Sequence, residues 1–367
     1  MTLESELELY RQRITTDSYP MSISEIANLY RDGEMDIHPE FQRIFRWSGA
    51  QRTKLIESVL LGIPLPSIFV AQNEDGVWDV VDGVQRLSTI FQFMGILRDD
   101  EGELVEPFVC EAAPFLTSLE GVAYERFEGA EKTLTRAQQL DFKRSRVDVK
   151  IIKRESDNRA KYDLFQRLNS YGSIATPQEL RNCLLVSLSR THFDWLQDVA
   201  SSKDFKDVLN LPDRLVKEQY HLELALRFIT LRSLPEARIS SIGNIGEFLS
   251  AEILSLVEQG YAELRAEKEA FDICFKTLND ALGGDSMRKL NPATGRTEGA
   301  FSSTAFEVLA LGLGHYAPER VPNGDDVQRA RETLWNDPSF APGHATGQRA
   351  DQRMKRTIPF GRRLFSA

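Results

Sequence analysis

The sequence predicts an α+β fold, in which a small mixed sheet is followed by an all-α region. The stretches SIFVAQ and VWDVVD are short, rich in β-branched and aromatic residues, and separated by a glycine-containing turn, which indicates a hairpin. RVDVKIIKR alternates apolar and polar residues, as a half-buried strand does. After residue 189, apolar residues recur with helical spacing and strand signals almost vanish. The strands are few and lack regular βαβ alternation, so a doubly wound nucleotide-binding fold is not indicated.

The 367 residues are enough for two domains. We predict a mixed-sheet domain over residues 1–185, with an acidic insertion at about 98–145. An α-helical domain follows over 186–342, and a basic tail over 343–367. In the helical domain, long apolar-periodic stretches predict helices at 216–232, 245–258 and 261–282.

Capping residues and helix breakers delimit the elements of the first domain. Ser22 begins a short helix that Gly33 ends. Ser48 begins a second helix, which cannot continue through Pro64. The remaining predicted elements, in chain order, are strands at 67–72 and 77–82, helices at 87–97 and 135–143, a strand at 146–154, a helix at 156–172 and a helix that Thr176 caps.

Composition narrows the classes of protein to which the chain can belong. The formal net charge of −10 argues against nonspecific coating of nucleic acid, which needs dense positive charge. The three cysteines are far apart and form no CxxC pair, so neither a disulfide framework nor a zinc site is indicated. No window approaches the roughly 18 apolar residues of a membrane span. We therefore expect a cytoplasmic protein with reduced thiols and no membrane association.

The tail is the one strongly basic segment of the sequence. Its basic residues include Arg349, Arg353, Lys355 and Arg356, whereas Asp351 is its single acid between residues 343 and 363. Two interpretations remain open for these side chains. They form a solvated or disordered end, or they contact nucleic acid or an acidic partner.

The stretch VVDGVQRLSTIFQFMG joins a predicted strand to a predicted helix. The first amides of a helix lack intrahelical partners and attract phosphate, and Gly83 would let the backbone approach closely. Arg86 could grip phosphate oxygens, and Gln85 could orient a phosphate or a water. Asp82 could cap the helix, hold a magnesium-bound water or position an attacking water. A simple capped turn explains the same residues, and the chain contains no GxxxxGK[ST] sequence.

Two further clusters contain a Gln-Arg pair. Gln42 and Arg43 lie in a predicted loop among aromatic residues, which could stack on a base while the arginine holds a phosphate. The alternative is that the aromatic rings belong to the core and the arginine is solvated. Arg167 and Asn169 lie on a predicted helix, near whose C-terminal end Asn169 could reach into a pocket.

Taken in order, these stretches resemble a known family. IHPEFQR, LIESVLLGIPLPSIFV, DVVDGVQRLSTIFQF and LFQRLNSYGSIATPQELRN are similar to the N-terminal nucleotidase domain of GmrSD-type, modification-dependent restriction endonucleases. That domain is similar to the ParB/sulfiredoxin-like fold, and the resemblance covers roughly residues 20–185. The hallmark DGQQR-type motif reads Asp82-Gly83-Val84-Gln85-Arg86 here. Val84 replaces the usual polar residue and would remove one polar contact.

The resemblance implies nucleoside triphosphate binding, and often hydrolysis, in anti-phage or restriction systems. It implies catalytic roles for Asp82, Gln85 and Arg86, and a Mg²⁺ ion held through Asp82 or Asn169. The nucleotide contacts that it implies are Gln42, Arg43, Gly83, Gln85, Arg86, Arg167 and Asn169.

Relatives of this kind often carry a C-terminal HNH nuclease domain. The five histidines of this chain match no ββα-metal pattern, so we expect a separately encoded nuclease or toxin as the partner, with DNA and a second copy of the chain as further candidates. Three hypotheses follow. The chain is an NTP-hydrolysing regulatory or sensor subunit, a non-hydrolysing nucleotide- or DNA-binding module, or a nuclease in its own right. The helical half has no acidic-plus-lysine signature that supports the third.

Overall fold

The structure is a computed structural model that describes residues 2–4, 15–37, 47–73, 75–99, 101–156, 164, 176–340 and 349–366. The chain divides into two compact units, which are described separately below. The first unit comprises Met1–Ala175 and Asn182–Leu188, and the second comprises Thr176–Arg181 and Ser189–Ala367.

A five-stranded mixed sheet forms the centre of the first unit. Its order is β1-β7-β3-β4-β2. β1 (Thr16–Ser22) is antiparallel to β7 (Arg146–Ile152), which is parallel to β3 (Ile68–Gln72). β3 is antiparallel to β4 (Trp78–Asp82), and β4 is parallel to β2 (Met35–Asp36). The predicted mixed sheet and the predicted β3–β4 hairpin are therefore confirmed.

The sequence analysis did not predict β1. The strand is polar, largely exposed and contains Pro20, so it carries little of the apolar alternation that marks a strand. Proline lacks a backbone N–H and is confined to edge strands or bulges. The position of β1 at the edge of the sheet accommodates it, and β1 pairs along its whole length with β7.

Helix caps in the first unit lie where the sequence predicts them. Ser22 Oγ accepts from Glu25 N, and Ser48 and Thr135 each form a capping box with the residue three positions later. The third helix differs at both ends, because it covers Val84–Phe93 rather than the predicted residues 87–97. The helices are α1 Ile23–Arg31, α2 Gly49–Leu60, α3 Val84–Phe93 and α4 Arg136–Arg144.

Apolar side chains from the strands and from these helices form one cluster in the first unit. Val70 of β3 and Val149 of β7 have no exposed surface, and neither do Ile56 of α2 and Phe91 of α3. Because every buried methylene group stabilises the fold by about 0.8 kcal/mol, this cluster fixes α2 and α3 against the sheet. The ends of β4 and α3 are thereby held in place.

The insertion that precedes β7 is anchored to α2 by hydrogen bonds from its backbone N–H groups to side chains of the helix. It contains the 3-10 helix Thr117–Leu119, two short parallel strands, β5 (Val122–Ala123) and β6 (Lys132–Thr133), and α4. Glu57 Oε1 accepts from the N–H groups of Phe115 and Leu116, at 2.8 and 2.6 Å. The Glu57 side chain is therefore the acceptor that orders this loop.

The second unit is mostly helical among its described residues, as predicted, but the stretch predicted as one helix at 216–232 divides between two helices, Asp213–Lys217 and Tyr220–Leu231. Ser303–Ala305 and Leu311–Gly314 are separated by a π-helical turn, Phe306–Ala310. A small antiparallel hairpin, β8 (Lys289–Asn291) with β9 (Arg296–Glu298), was not predicted. The helices that follow the sheet are α5 Pro177–Leu188, α6 Arg190–Ser201, α7 Lys203–Leu209, α8 Asp213–Lys217, α9 Tyr220–Leu231, α10 Glu236–Ser241, α11 Ile245–Val257, α12 Tyr261–Leu282, α13 Ser303–Ala305, α14 Leu311–Gly314, α15 Gly324–Asn336 and α16 Ala350–Leu364.

Four phenylalanine rings form the centre of the second unit. Phe205 of α7 and Phe228 of α9 contact Phe271 and Phe275 of α12, with ring centroids 4.6 to 5.3 Å apart. All four side chains are fully buried. Edge-on and tilted ring pairs of this kind contribute about 0.5–1.5 kcal/mol each beyond their buried area.

The basic segment differs from the solvated or disordered end that the sequence allows. Residues 350–364 form the helix α16, in which Met354 and Ile358 are one turn apart and fully buried. Arg353 binds the buried carboxylate of Glu307 through Nε and Nη2, the shortest contact being 2.6 Å, and Thr357 Oγ1 donates to the same carboxylate. The apolar spacing and this ion pair explain why the segment folds.

Among the described residues, every helix is either too short or too polar to cross a lipid bilayer.

Candidate functional site

The turn between β4 and α3 requires a glycine. β4 ends at Asp82, α3 begins at Val84, and Gly83 between them has φ 103° and ψ 6°, in the left-handed region. A Cβ atom at Gly83 would lie 2.9 Å from Cγ1 of Ile68. Both the backbone conformation and the close approach of β3 therefore exclude a larger residue.

The N-terminus of α3 has no side-chain cap. Gly83 has no side chain that could accept a hydrogen bond, and the first bond of the helix runs from Leu87 N to Gly83 O at 2.9 Å. As in every α-helix, the N–H groups of the first turn lie ahead of the first i−4 acceptor, and the positive end of the helix dipole lies there. This end of α3 has the features of an anion-binding helix terminus.

Arg86 lies in the first turn of α3 and makes three contacts within the protein. Nη2 donates to Asp82 Oδ2 at 2.8 Å. Nη1 donates to the carbonyl oxygens of Pro66 and of Ser67, the latter at 3.1 Å. Burial lowers the pKa of the Arg86 guanidinium, and the charge of Asp82 acts in the opposite direction. The guanidinium therefore stays charged and joins the turn to the loop before β3.

Asp82 does not cap α3, although the sequence allows this role. Its carboxylate pairs with Arg86 through one oxygen and is 38% exposed. No group of three or more His, Cys, Asp or Glu residues that could form a metal cage occurs in the described part of the chain. Mg²⁺, however, is commonly bound by one or two carboxylates together with phosphate oxygens. Asp82 fits such a role as a single carboxylate ligand.

The other two residues of the motif are more deeply buried. Val84 is only 5% exposed and belongs to the apolar cluster of the first unit. The valine therefore fills the core, and a polar side chain would be buried at this position. Gln85 is also buried, with 8% of its surface exposed.

Only part of the predicted site falls within the described residues. The structure brings Asp82, Gly83 and Arg86 together in one turn. The residues of the other two Gln-Arg clusters, Gln42, Arg43, Arg167 and Asn169, lie outside the described residues.

The basic residues predicted to contact nucleic acid all lie at or on α16, in the second unit. Arg353 is occupied by Glu307. Arg349 pairs with Asp351 at 3.1 Å and donates to Gly243 O. Lys355 is partly exposed and Arg356 exposed.

Sequence reasoning did not identify two participants, the carbonyl oxygens of Pro66 and Ser67. A backbone acceptor has no signature in the sequence, and the contact joins positions 19 and 20 residues apart. The pairing of Asp82 with Arg86 could have been found, because the two residues flank one tight turn and are only four positions apart.

Comparison with known proteins gives one family. Residues 23–186 match the family model described as GmrSD restriction endonuclease, N-terminal domain. Neither the curated proteins nor the solved structures contain a match to this chain. The matched residues include the whole β4–α3 turn and the insertion.

Proposed function

We propose that residues 23–186, which match the model of the GmrSD restriction-endonuclease N-terminal domain, bind and hydrolyse a nucleoside triphosphate as part of a restriction system. The proposed site is the β4–α3 turn. The nucleotide bound at this turn would determine whether the chain, as a regulatory subunit, activates a separately encoded nuclease or toxin.

The observation that carries this proposal is the uncapped start of α3 at Gly83. Gly83, with φ 103°, has no side chain of its own that could cap the first amides of α3. Phosphate groups bind helix N-termini because several N–H groups point at the ligand and the dipole favours negative charge. The family match covers this turn, which supports assigning the ligand to the nucleotide class.

Hydrolysis would require a water molecule in line with the γ-phosphate. In the proposed arrangement the exposed carboxylate of Asp82 orients that water or a metal ligand, and the amides of α3 contact phosphate oxygens. A bound Mg²⁺ would offset negative charge on the phosphates. The residues of this chain would then supply position and orientation, which is most of what phosphoryl transfer demands of a protein.

The proposed regulatory role involves a partner protein. In this proposal, the effector is a separately encoded nuclease or toxin. Hydrolysis by this chain would then set when the partner is active.

A second candidate function is nucleotide binding without turnover. The observation that favours it is the engagement of Arg86 by Asp82 and by two carbonyl groups. An arginine that offsets charge on a transferring phosphoryl group needs free N–H groups. If no other cation offsets that charge, the triphosphate would bind without being hydrolysed and would act as a conformational ligand.

Phosphate release and calorimetry separate these possibilities. The purified chain is mixed with each of the four ribonucleoside triphosphates and Mg²⁺, and both binding and phosphate release are measured. We expect saturable turnover that Asp82→Asn lowers about 100-fold, because misplacing one reacting group costs that much. Arg190→Ala is the control, since Arg190 forms an exposed i,i+4 ion pair with Asp194 on α6. Binding without turnover supports the second candidate, and absence of binding to every triphosphate contradicts both.

A further inference from the structure

Most of the hydrogen-bonding capacity of Arg86 is used within the protein. A guanidinium carries five N–H groups. Nη1 donates to the carbonyl oxygens of Pro66 and Ser67, and Nη2 donates to Asp82. Three of its N–H groups therefore have protein acceptors. At most two remain for a ligand, so Arg86 has fewer donors to offer a phosphate than a free arginine has.

Charge and exposure of the pair lead to the same conclusion. Asp82 offsets the charge of Arg86 at 2.8 Å, and the carboxylate is 38% exposed whereas the guanidinium is 11% exposed. A ligand that approaches from solvent therefore meets the carboxylate more readily than the guanidinium. An anionic phosphate gains little from such a pair directly, whereas a water molecule or a hydrated cation is well suited to the carboxylate.

The carbonyl contacts give Arg86 a second task. Pro66 and Ser67 lie immediately before β3, whose first residue, Ile68, packs against Gly83. Arg86 itself also borders the glycine, because a Cβ atom there would lie 3.3 Å from Nη2. The turn is thus held between Ile68 on one side and the guanidinium on the other.

From these contacts we infer that Arg86 is a positioning residue. It holds the Asp82 carboxylate toward the nucleotide site and fastens the loop before β3 to the β4–α3 turn, and it is not the principal phosphate ligand. The inference rests on the proposed function, because it assigns the ligand-facing role to Asp82 and to the amides of α3. It predicts that Arg86 acts on turnover through Asp82, and on loop order through Pro66 and Ser67.

Nucleotide affinity without metal separates a positioning residue from a phosphate ligand. The dissociation constant is measured by calorimetry in EDTA for the wild type, Arg86→Ala and Arg86→Lys, with the triphosphate that binds the wild type. We expect Arg86→Ala to change this constant by no more than about threefold, because the lost contacts are internal. Loss of a charge-assisted bond to phosphate would weaken binding about tenfold or more, and that result would overturn the inference.

A double-mutant cycle tests whether Arg86 acts through Asp82. We expect Asp82→Asn and Arg86→Ala each to lower kcat with Mg²⁺ about 100-fold, and the double variant to lower it no further. Arg86→Lys, which can still pair with Asp82, should recover part of kcat. Additive losses in the double variant would mean that the two side chains act independently, which contradicts the inference.

Amide hydrogen exchange provides a measurement that needs no nucleotide. We expect Arg86→Ala to speed exchange in the peptide that contains residues 61–67, whereas Asp82→Asn and the control Arg190→Ala leave it unchanged. If amide exchange in residues 61–67 is unchanged in Arg86→Ala, the inference that Arg86 orders this loop is wrong, even if turnover falls. If the wild type binds no triphosphate, the proposed function fails and the positioning role falls with it. Faster exchange in Arg86→Ala would then show a purely structural contact.

Discussion

A Cβ atom on Gly83 would lie 2.9 Å from Cγ1 of Ile68, so β3 and the β4–α3 turn touch at the one residue that has no side chain. The contact explains why the turn follows β4 without a spacer. It also places the first amides of α3 beside the end of the sheet. The site therefore depends on the fit between a glycine and a buried isoleucine of the neighbouring strand.

Gly83→Ala tests this fit, with Gly33→Ala as its control. Both glycines have positive φ, 103° and 74°, but nothing lies within 4 Å of a Cβ atom on Gly33. We expect Gly33→Ala to lower the free energy of unfolding by about 1 kcal/mol through backbone strain alone. Gly83→Ala should lower it by about 3 kcal/mol, because overpacking is added. Urea denaturation measures both, and equal losses would contradict the steric argument.

Val84→Gln, which makes the motif DGQQR, should cost stability. Val84 is buried in the apolar cluster, and an amide there would lose its hydration without a prepared partner. We expect the free energy of unfolding to fall by about 2 kcal/mol, compared with about 0.5 kcal/mol or less for Val321→Gln at an exposed position. A Val84→Gln variant as stable as the wild type would show that the amide finds a polar partner, as the family motif suggests.

Glu57 should be replaceable by glutamine but not by alanine. Both loop amides, from Phe115 and Leu116, donate to the same oxygen, Oε1, and a glutamine carbonyl can occupy that position. We expect Glu57→Ala to lower the free energy of unfolding by about 2 kcal/mol, since two partly buried amide donors lose their acceptor. Thermal denaturation of both variants provides the comparison. A larger loss for glutamine than for alanine would mean that the negative charge, not the acceptor, holds the loop.

Arg353→Ala should destabilise the second unit. Removing the guanidinium leaves the Glu307 carboxylate, which is 2% exposed, without its counter-charge. We expect a loss of about 4 kcal/mol, the usual cost of an unpaired buried charge. Arg363→Ala on the exposed side of the same helix is the control and should change stability by less than about 0.5 kcal/mol. Equal effects of the two variants in chemical denaturation would contradict a structural role for Arg353.

His315 should make the second unit less stable in acid. Burial lowers the pKa of His315, a hydrogen bond to Arg232 O raises it, and the charges of Arg362 and Arg232 lower it. The unfolded chain then binds a proton before the folded one does. The free energy of unfolding should therefore fall as the pH drops from about 6.5, the ordinary histidine pKa, through the lower folded value.

His315→Gln provides the comparison for this pH dependence. The variant lacks the histidine, so its free energy of unfolding should fall less in acid. The difference in free energy of unfolding between the variant and the wild type should therefore change between pH 7.5 and pH 5.5. Urea denaturation at both values tests this. Parallel pH profiles would mean that other groups produce the acid loss.

Helix starts marked by a capping side chain were predictable because their causes are local. The capping hydrogen bonds of Ser48, Thr135 and Thr176 each involve a residue three positions away, so the pattern is visible in the sequence. β1 escaped prediction because its stability comes from pairing with β7 and not from its own residues. Tertiary pairing of this kind leaves only a weak local pattern.

In the candidate site, too, the features with local causes were predictable and those that depend on tertiary contacts were not. Gly83 was predictable because its role depends on a local turn, and Asp82 and Arg86 because they are four residues apart. The role of Arg86 was not, because two of its three acceptors are backbone carbonyls of a distant loop. Burial of Val84 likewise depends on which side of α3 packs against the sheet.

The order of strands in the sheet has a consequence for synthesis of the chain. β1 is made first, yet among the described strands its sole partner is β7, whose residues leave the ribosome only after α1 to α4. Until Arg146–Ile152 is available, β1 stays unpaired and β3 presents a bare edge, which is the kind of surface on which chains aggregate. A soluble fragment of the first unit would therefore have to extend at least to Ile152.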